Sequence, residues 1–359
     1  MTNNITEILD YLLIKSKPVY SYGDCMAVRR SRYSQTINDD NKDDDDYHED
    51  ENLNHNKESS GVPENVVERF RIAVYLCDED ELDFLRDVAD FSERKEPCYD
   101  YPKLSPARVL IFSNYVFVFL YEDNLHFVLP SELIEVYRAV VSEENFTQIN
   151  ARNRNLHIYA NGLCALYGAY EITHFVDVWN RHHKDKITFK EAETFLFDRI
   201  EFQSHYYISD NFVIHDCLFE DDFDQLFETV HDVEYYMPTK SVVREYANRD
   251  YGDFEIDGSK EVEDFVTEFI SDEHILEDLL YDLIHSYEQI ISPEAICAIL
   301  KNAGLPITDT AFCEKFERLY NAFRNNVRVW ELRGFTIYQY QTATGIRIPQ
   351  FGFPKKQKA

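Results

Sequence analysis

Glycine and proline are scarce in this sequence, which has 10 Gly and 11 Pro in 359 residues. Their scarcity argues against a loop-rich barrel and against a low-complexity polymer. Hydrophobic residues make up 44% of the chain and aromatic residues 15%, so there is ample material for packed cores. A chain of this length and composition predicts a globular protein of two or three domains.

Long uncharged apolar runs are also missing, and none approaches the roughly 20 residues that a membrane helix needs. Glu7 and Asp10 interrupt the first apolar stretch, and a secretory signal peptide would not carry acidic residues there. The expected location is the cytoplasm, without membrane contact.

Metal and cofactor motifs are absent as well. The seven cysteines are scattered and no two have C-x-x-C spacing, so free thiols in a reducing compartment are expected rather than zinc or redox sites. The ligand-type runs His182-His183 and His215-Asp216-Cys217 do not form a spaced ligand pair on a clear helix. No phosphate loop, dinucleotide fingerprint or nucleophile elbow occurs. The sequence predicts no metal and no cofactor.

Positive charge is in short supply. The chain has 67 Asp and Glu against 36 Lys and Arg, a formal net charge of -31. Such a surface repels phosphate backbones, because nucleic-acid binding needs cations that displace counterions. It attracts basic surfaces instead. We expect a protein partner with a basic surface and no direct binding of nucleic acid.

The amino-terminal part of the chain divides by composition into two segments. Residues 1–37 predict an amphipathic helix, over 5–14, followed by a basic patch. Residues 38–61 are acidic and almost devoid of apolar side chains. They cannot offset the entropy of folding, so they are predicted to be a disordered linker.

Residues 62–145 predict a first module in which helices are followed by a β-hairpin, the outline of a winged helix. Its first helices fall within 63–91, and a further helix begins at Pro130. Between them lie three β-rich runs, Val109–Phe112, Tyr115–Tyr121 and His126–Leu129.

The same outline recurs in residues 146–235. A Thr188–Glu191 capping box opens the third helix, which extends to about Arg199. The other predicted elements are helices over Asn150–Leu166 and Ile172–Asn180 and a hairpin of Tyr206–Ile208 with Phe212–Ile214.

Residues 236–359 predict a helical bundle with a basic tail. Apolar residues recur there at i, i+3 and i+4, most regularly from Ile275 to Tyr287. Ser292-Pro293 and Gly304 are the residue types of a helix start and a helix end. The predicted fold class is α+β, mainly helical, with two winged-helix-like modules followed by a helical bundle.

Three stretches resemble the amino-terminal region of uncharacterised bacterial proteins that end in a SEC-C zinc motif. They are Leu166-Tyr167-Gly168, residues 235–240 (YYMPTK) and residues 325–336 (NNVRVWELRGFT), the last being the most specific. The resemblance covers roughly residues 65–337. No cysteine follows Thr336, so the zinc tail of that family is expected to be absent. The resemblance implies a bacterial or phage-borne cytoplasmic protein.

A winged-helix outline suggests DNA binding, because the third helix of such modules enters the major groove. The predicted third helix carries Lys190 and Arg199 against Glu191, Glu193 and Asp198. A helix that reads DNA is expected to be net basic, so a module for protein contacts is favoured.

A ribonuclease is the alternative from a different class. The run from Arg152 to His157 (RNRNLH) matches R-N-x-x-x-H, which resembles the motif of HEPN ribonucleases. The resemblance implies that Arg152 and His157 hold the scissile phosphate and assist 2′-hydroxyl attack. Five residues of helix turn about 500°, which leaves the two side chains roughly 140° apart. They are expected to cooperate only at a helix end or with a partner.

Trp330, Arg328 and Arg333 make one carboxyl-terminal region both aromatic and basic. Trp and Arg anchor interfaces disproportionately, so these three are candidate docking residues. The other interpretation is that Trp330 plugs the helical bundle.

The function that the sequence favours is a non-enzymatic, acidic protein-interaction factor, for which no catalytic residue is assigned. A sharper variant is an inhibitor encoded by a phage or mobile element, whose carboxylates imitate DNA and block a nucleic-acid-binding enzyme. The alternative is a HEPN-like ribonuclease that uses Arg152 and His157.

Overall fold

The computed structural model describes residues 12–30, 62–96, 107–200, 205–230, 232–248, 256–288 and 292–354. The chain forms two compact units, Met1–Asn155 and Leu156–Ala359. The predicted acidic linker, 38–61, lies outside the described residues, as do most of the predicted amino-terminal helix and the last residues of the predicted basic tail.

The first unit combines helices with a small sheet. Its elements are β1 (Leu13–Ile14), a helical segment over 22–30, α1 (Glu64–Leu76), α2 (Glu79–Arg94), α3 (Ala107–Phe112), β2 (Phe117–Tyr121), β3 (Asn124–Val128) and α4 (Ser131–Val141). The sheet has the order β1-β2-β3, with β1 parallel to β2 and β2 antiparallel to β3. Helix α1 packs on α4, and α2 packs on β3.

Local chemistry fixes the start and the buried face of α2. The Asp78 carboxylate accepts a 2.8 Å hydrogen bond from the Glu81 backbone N–H, and Glu81 accepts a 2.7 Å bond from the backbone of Asp78. This reciprocal capping box satisfies N–H groups that have no partner inside the helix. Phe84 and Val88, one turn apart, are fully buried, and Phe84 meets Phe127 of β3 edge-on at 5.8 Å.

Two predictions in the first unit are wrong. Val109–Phe112, expected to be a strand, belongs to helix α3, because a short continuous apolar run has no period that separates a buried helix from a buried strand. Leu13 and Ile14, expected to end a helix, form β1, because their backbone pairs with β2. The predicted β-rich runs Tyr115–Tyr121 and His126–Leu129 do form a hairpin, β2–β3, with Glu122 and Asp123 at positive φ between the paired residues.

The second unit opens with a small antiparallel sheet and its helices. Helix α5 (Phe146–Tyr167) leads into it, followed by β4 (Ala169–Glu171), α6 (Ile172–His182), α7 (Phe189–Ile200), β5 (Tyr206–Ser209), β6 (Phe212–His215) and α8 (Glu220–Val230). The strands have the order β4-β6-β5, all antiparallel. The predicted hairpin is confirmed, with Ser209 opposite Phe212 across a two-residue turn.

The predicted helices of this region are also confirmed. The Thr188 hydroxyl accepts a 3.2 Å hydrogen bond from the Glu191 backbone, and the Glu191 carboxylate accepts a 2.8 Å bond from the Thr188 backbone. Leu156, Tyr159 and Leu163, which helical spacing places on one face of α5, are all buried. Sequence-local signals were sufficient for these elements.

The remainder of the second unit is helical. Its elements are α9 (Lys240–Ala247), α10 (Ser259–Thr267), α11 (Glu273–Glu288), α12 (Pro293–Asn302), α13 (Thr310–Arg324), a 3-10 turn (Trp330–Leu332) and α14 (Ile337–Thr344). One apolar core joins α10 to α13 through side chains that include Val266, Leu300 and Phe316. The protein is therefore α+β and mainly helical, as predicted. None of the helices described is long and apolar enough to cross a membrane.

Candidate protein-interaction surface

Helix α8 packs its inner side on the end of the second sheet. Leu226 and Val230 are buried, and they share one apolar cluster with Ile214 of β6, Leu218 and Trp330. A spacing of four residues puts Leu226 and Val230 on the same side of the helix. The opposite side of α8 is left to solvent.

Phenylalanine rings group along the flank of α8. Phe223 and Phe227, one turn apart, have ring centroids separated by 6.0 Å, and Phe212 of β6 lies 5.5 Å from the first and 5.4 Å from the second. Phe227 is 41% exposed, and Phe219, just before the helix, is 75% exposed. Grouped exposed aromatic rings mark interaction sites more often than single ones do.

A cleft opens beside these rings. Phe212, Phe223 and Phe227 line it together with Tyr235 and Arg333, and it is shallow, with room for about one water molecule. Aromatic rings dominate the lining, and a guanidinium group joins them.

Arg333 is held in a fixed position at this cleft. It is 7% exposed, its Cζ lies 4.1 Å from the Tyr235 ring centroid, and its Nη1 lies 3.4 Å from Oε2 of Glu171. Tyr235 donates its hydroxyl proton to Glu171 as well. The His174 ring stacks on Tyr235 with 3.8 Å between centroids. Two groups this close cannot share one face of a ring, so Tyr235 lies between Arg333 and His174.

The hydrogen bonds around His174 define its protonation. Burial and the charge of Arg333 lower the pKa of His174 to about 3, so the imidazole is neutral at pH 7. Tyr167 gives its hydroxyl proton to the backbone oxygen of Tyr236 at 2.7 Å, and its oxygen lies 3.1 Å from Nε2 of His174. His174 therefore carries its proton on Nε2 and donates it to Tyr167. Nε of Arg333, by contrast, has no hydrogen-bond partner among the described residues.

Negative charge accompanies α8. No Lys or Arg occurs in the sequence between Arg199 and Lys240. Asp222 and Asp224 are exposed, and neither forms an ion pair within the described part of the chain. These two carboxylates give the solvent-facing side of α8 negative charge.

The three candidate docking residues of the sequence lie mostly inside the second unit. Trp330 is 2% exposed, and its indole Nε1 donates a 3.0 Å hydrogen bond to the backbone oxygen of Ala165. Arg328 lies 3.9 Å from the Tyr236 ring centroid and donates to the backbone oxygen of Gly334 at 2.8 Å. Trp330 is thus buried, but in the apolar cluster of the second sheet and α8 and not in the core of the helical bundle. The docking role of the three residues stays a prediction.

The residues of the ribonuclease alternative lie on α5. Arg152 is partly buried. His157 accepts a 3.2 Å hydrogen bond at Nδ1 from Nε of Arg199, and its Nε2 lies 3.2 Å from the side-chain amide of Asn161. Burial, with the charge of Arg199 second, lowers the pKa of His157 to about 3. The imidazole is thus neutral at pH 7, with both nitrogens engaged inside the protein.

The ligand-type histidines also serve internal packing. Nε2 of His182 faces the backbone oxygen of Pro238 at 3.1 Å and must donate to it, so Nδ1 accepts from the Tyr159 hydroxyl at 2.9 Å. The His183 ring stacks on Trp179 with 3.9 Å between centroids. Across the described ranges, no three His, Cys, Asp or Glu side chains are arranged to hold a metal ion.

The exposed side chains Phe219, Asp222, Asp224 and Phe227 together form what we call the α8 surface. This surface was not predicted from the sequence, although a signal for it is present. Phe219, Phe223 and Phe227 recur every four residues, a spacing that places them along one flank of a helix. Acidic residues fill most positions between them. Sequence alone does not show that Leu226 and Val230 would be buried while Phe227, on the same apolar stripe, stays 41% exposed.

No protein-family model, no curated protein and no solved structure matches this chain.

Proposed function

We propose that this chain is a non-enzymatic protein-interaction factor that binds a partner through the partner's basic surface. The observation that carries the proposal is the α8 surface, where exposed phenylalanines and exposed carboxylates lie together in a stretch without Lys or Arg. Aromatic side chains supply much of the energy at protein interfaces. Complementary charge speeds the encounter and disfavours wrong partners.

Direct binding of nucleic acid is not part of the proposed function. The net charge of -31 opposes approach to a polynucleotide, because each phosphate contact needs a cation to displace counterions. The same charge attracts a basic protein surface, and the range of this attraction becomes shorter as the salt concentration rises.

The second module, 146–235, fits a winged helix used for protein contacts. What supports this is the order helix, strand, two helices and two strands, with the sheet order β4-β6-β5. Helix α7 then takes the place of the DNA-reading helix. Its Arg199 is 4% exposed and so is not available to a phosphate, and its exposed Lys190 pairs with Glu193 at 2.7 Å. In the first module, 62–145, the hairpin also follows helices, but the parallel β1 departs from that pattern.

A sharper form of the proposal is an inhibitor of phage or mobile-element origin whose carboxylates imitate DNA. The net charge supports it, and the resemblance to bacterial SEC-C proteins is consistent with that origin. A protein that only imitates phosphates does not need exposed phenylalanines, yet the α8 surface has them. The α8 surface therefore favours a basic protein segment that also presents apolar groups.

The ribonuclease alternative has less support. A general acid or base works best with a pKa near the operating pH, whereas the pKa of His157 is lowered to about 3. RNA cleavage by the purified protein that is abolished in His157→Ala would favour this alternative.

A display selection tests the proposed function. The folded full-length protein is immobilised and offered a random peptide library, and the recovered peptides are sequenced. We expect enrichment of peptides that combine Lys or Arg with apolar residues, and we expect their binding to weaken as salt rises. Enrichment of acidic peptides, or tight binding of mixed-sequence DNA at physiological salt, contradicts the proposal.

A further inference from the structure

We propose that the second unit binds a phosphorylated serine or threonine of a partner protein on an exposed basic surface at the end of α6 and along α9. Four exposed cations make up this α6–α9 basic surface: Arg181, Lys184, Lys240 and Arg244. It shares no residue with the α8 surface and has the opposite charge. The inference therefore goes beyond the proposed function.

The four cations are unpaired in a chain that is rich in carboxylates. None of them forms an ion pair or a side-chain hydrogen bond within the part of the chain that the structure describes. Other exposed cations of the second unit do find carboxylates, as Lys190, Lys260 and Lys315 do. The chain has 67 Asp and Glu against 36 Lys and Arg. Four unpaired cations on one surface of such a chain are available to an external anion.

The end of α6 and the start of α9 are held together by a hydrogen bond. Nε2 of His182, the last residue of α6, donates to the backbone oxygen of Pro238 at 3.1 Å. Arg181 precedes His182, and Lys240, the first residue of α9, lies two residues after Pro238. Burial lowers the pKa of His182, and the charges of Lys240 and Arg181 lower it further. Both cations therefore lie near this ring.

Lys184 and Arg244 extend the same surface. Lys240 and Arg244 are four residues apart on α9, a spacing that puts both on one side of the helix. Burial lowers the pKa of His183, and the charges of Lys240 and Arg244 lower it further, so this side of α9 lies near His183. Lys184 follows His183 directly in the sequence. The imidazole is neutral at pH 7, so the lysines and arginines carry the charge of the surface.

The arrangement of charge on α9 costs stability in the unbound protein. Lys240 lies at the positive end of the helix dipole, where a cation is unfavourable. Lys240 and Arg244 also repel each other, because like charges four residues apart on a helix are destabilising. No acidic residue lies in the first turn of α9, whereas α10, α11 and α12 each have a glutamate there. A bound anion would remove both costs.

The size of the surface favours a phosphate monoester over a longer polyanion. A phosphorylated serine concentrates about two negative charges and three acceptor oxygens in one group, and arginine binds such a group through two parallel hydrogen bonds. Exposed carboxylates border the surface, with Asp185 next to Lys184 and Glu245 next to Arg244. An extended nucleic acid would also meet these carboxylates. A single phosphate needs only the cations.

Fluorescence anisotropy with labelled peptides tests the assignment on the full-length protein. The probe is a peptide with one phosphoserine among neutral residues, and matched peptides carry Ser or Glu at that position. We expect saturable binding of the phosphopeptide that weakens as salt rises. Binding of the Glu peptide is expected to be about tenfold weaker, because it carries one negative charge instead of two. No binding of the Ser peptide is expected.

Lys240→Glu separates a binding role from a structural one. It places a carboxylate at the start of α9, four residues before Arg244, so we expect a higher melting temperature. We also expect phosphopeptide binding to become about tenfold weaker or more. A purely structural Lys240 would give a lower melting temperature instead. Lys301→Glu makes the same charge change at an exposed position of α12, and this matched control is expected to weaken binding less.

Four results would overturn the assignment. The first is a phosphopeptide that does not bind, or that binds no more tightly than the Ser peptide. The second is a Lys240→Glu protein that binds the phosphopeptide as tightly as the wild type does. The third is inorganic phosphate that displaces the phosphopeptide when the two are equal in concentration, since the ligand is then a free phosphate and not a protein segment. The fourth is tighter binding of a single-stranded oligonucleotide than of the phosphopeptide.

Discussion

A Cβ built on Gly168 would lie 2.5 Å from Cδ2 of Trp330. Gly168 follows the last residue of α5 in the left-handed conformation, with φ 70°, and its N–H bonds to the Cys164 oxygen at 2.9 Å. The Trp330 indole donates to the oxygen of Ala165, one of the last carbonyl groups of α5, which have no partner inside the helix. Two features thus end α5 together, a glycine that turns the chain and a distant indole that caps it.

Gly168→Ala is expected to lower the free energy of unfolding by about 2 kcal/mol or more. A left-handed non-glycine residue costs about 1–2 kcal/mol, and the new methyl group would overlap the indole as well. Gly304→Ala is the matched control, because its φ is 77° and nothing lies within 4 Å of its Cβ position. Chemical denaturation of both variants measures the difference. Equal losses in the two would show that the contact with Trp330 is unimportant.

Trp330→Phe isolates the hydrogen bond from the packing. The ring largely refills the site, but the oxygen of Ala165 loses its donor, so we expect a loss of about 1–3 kcal/mol in the free energy of unfolding. Trp330→Ala removes the packing too and should cost about 3–5 kcal/mol. Phe219→Ala, at a side chain 75% exposed, is expected to change stability by less than about 0.5 kcal/mol. Circular dichroism during denaturation gives all three values. A fully stable Trp330→Phe protein would remove the capping role.

The stability of the fold is expected to fall in acid through His174. Its pKa is lowered from 6.5 to about 3 in the folded protein, so the unfolded chain takes up the proton first. The contribution of neutral His174 is intact above pH 6.5 and is lost as the pH falls from 6.5 towards about 3. The loss is about 1.4 kcal/mol per pH unit.

His174→Gln removes this titration and keeps an amide donor for the Tyr167 oxygen. Between about pH 4 and pH 6 its free energy of unfolding should therefore depend less steeply on pH than that of the wild type, by about 1.4 kcal/mol per unit. The other titrating groups are common to both proteins and cancel in the comparison. Parallel pH profiles would mean that His174 is not held neutral.

Local chemistry predicted much of the fold. The Thr188–Glu191 capping box and the alternation of the β5–β6 hairpin involve residues within a few positions of one another, so the sequence displays them directly. The prediction of a strand at Val109–Phe112 was wrong because an unbroken apolar run has no period that would distinguish a helix from a strand. Asn114, which takes a left-handed conformation with φ 58° just past α3, is the residue type that often follows a helix. It was the available sign of a helix there.

The candidate surface was beyond local prediction for a physical reason. The apolar residues of α8, namely Phe223, Leu226, Phe227 and Val230, fall within one arc of about 100° on the helix. Leu226 and Val230 share a buried cluster with Trp330, which lies about a hundred residues away in the sequence. Sequence periodicity does not show which part of the arc this distant contact covers, and Phe227 stays 41% exposed.

One titration tests the central claim most directly. A labelled peptide with a single Leu between lysines and a labelled mixed-sequence DNA duplex are each titrated with the wild-type protein at physiological salt, followed by fluorescence anisotropy. The account predicts saturable binding of the peptide that weakens as salt is raised, with no binding of the duplex. Binding of the duplex in preference to the peptide would contradict it.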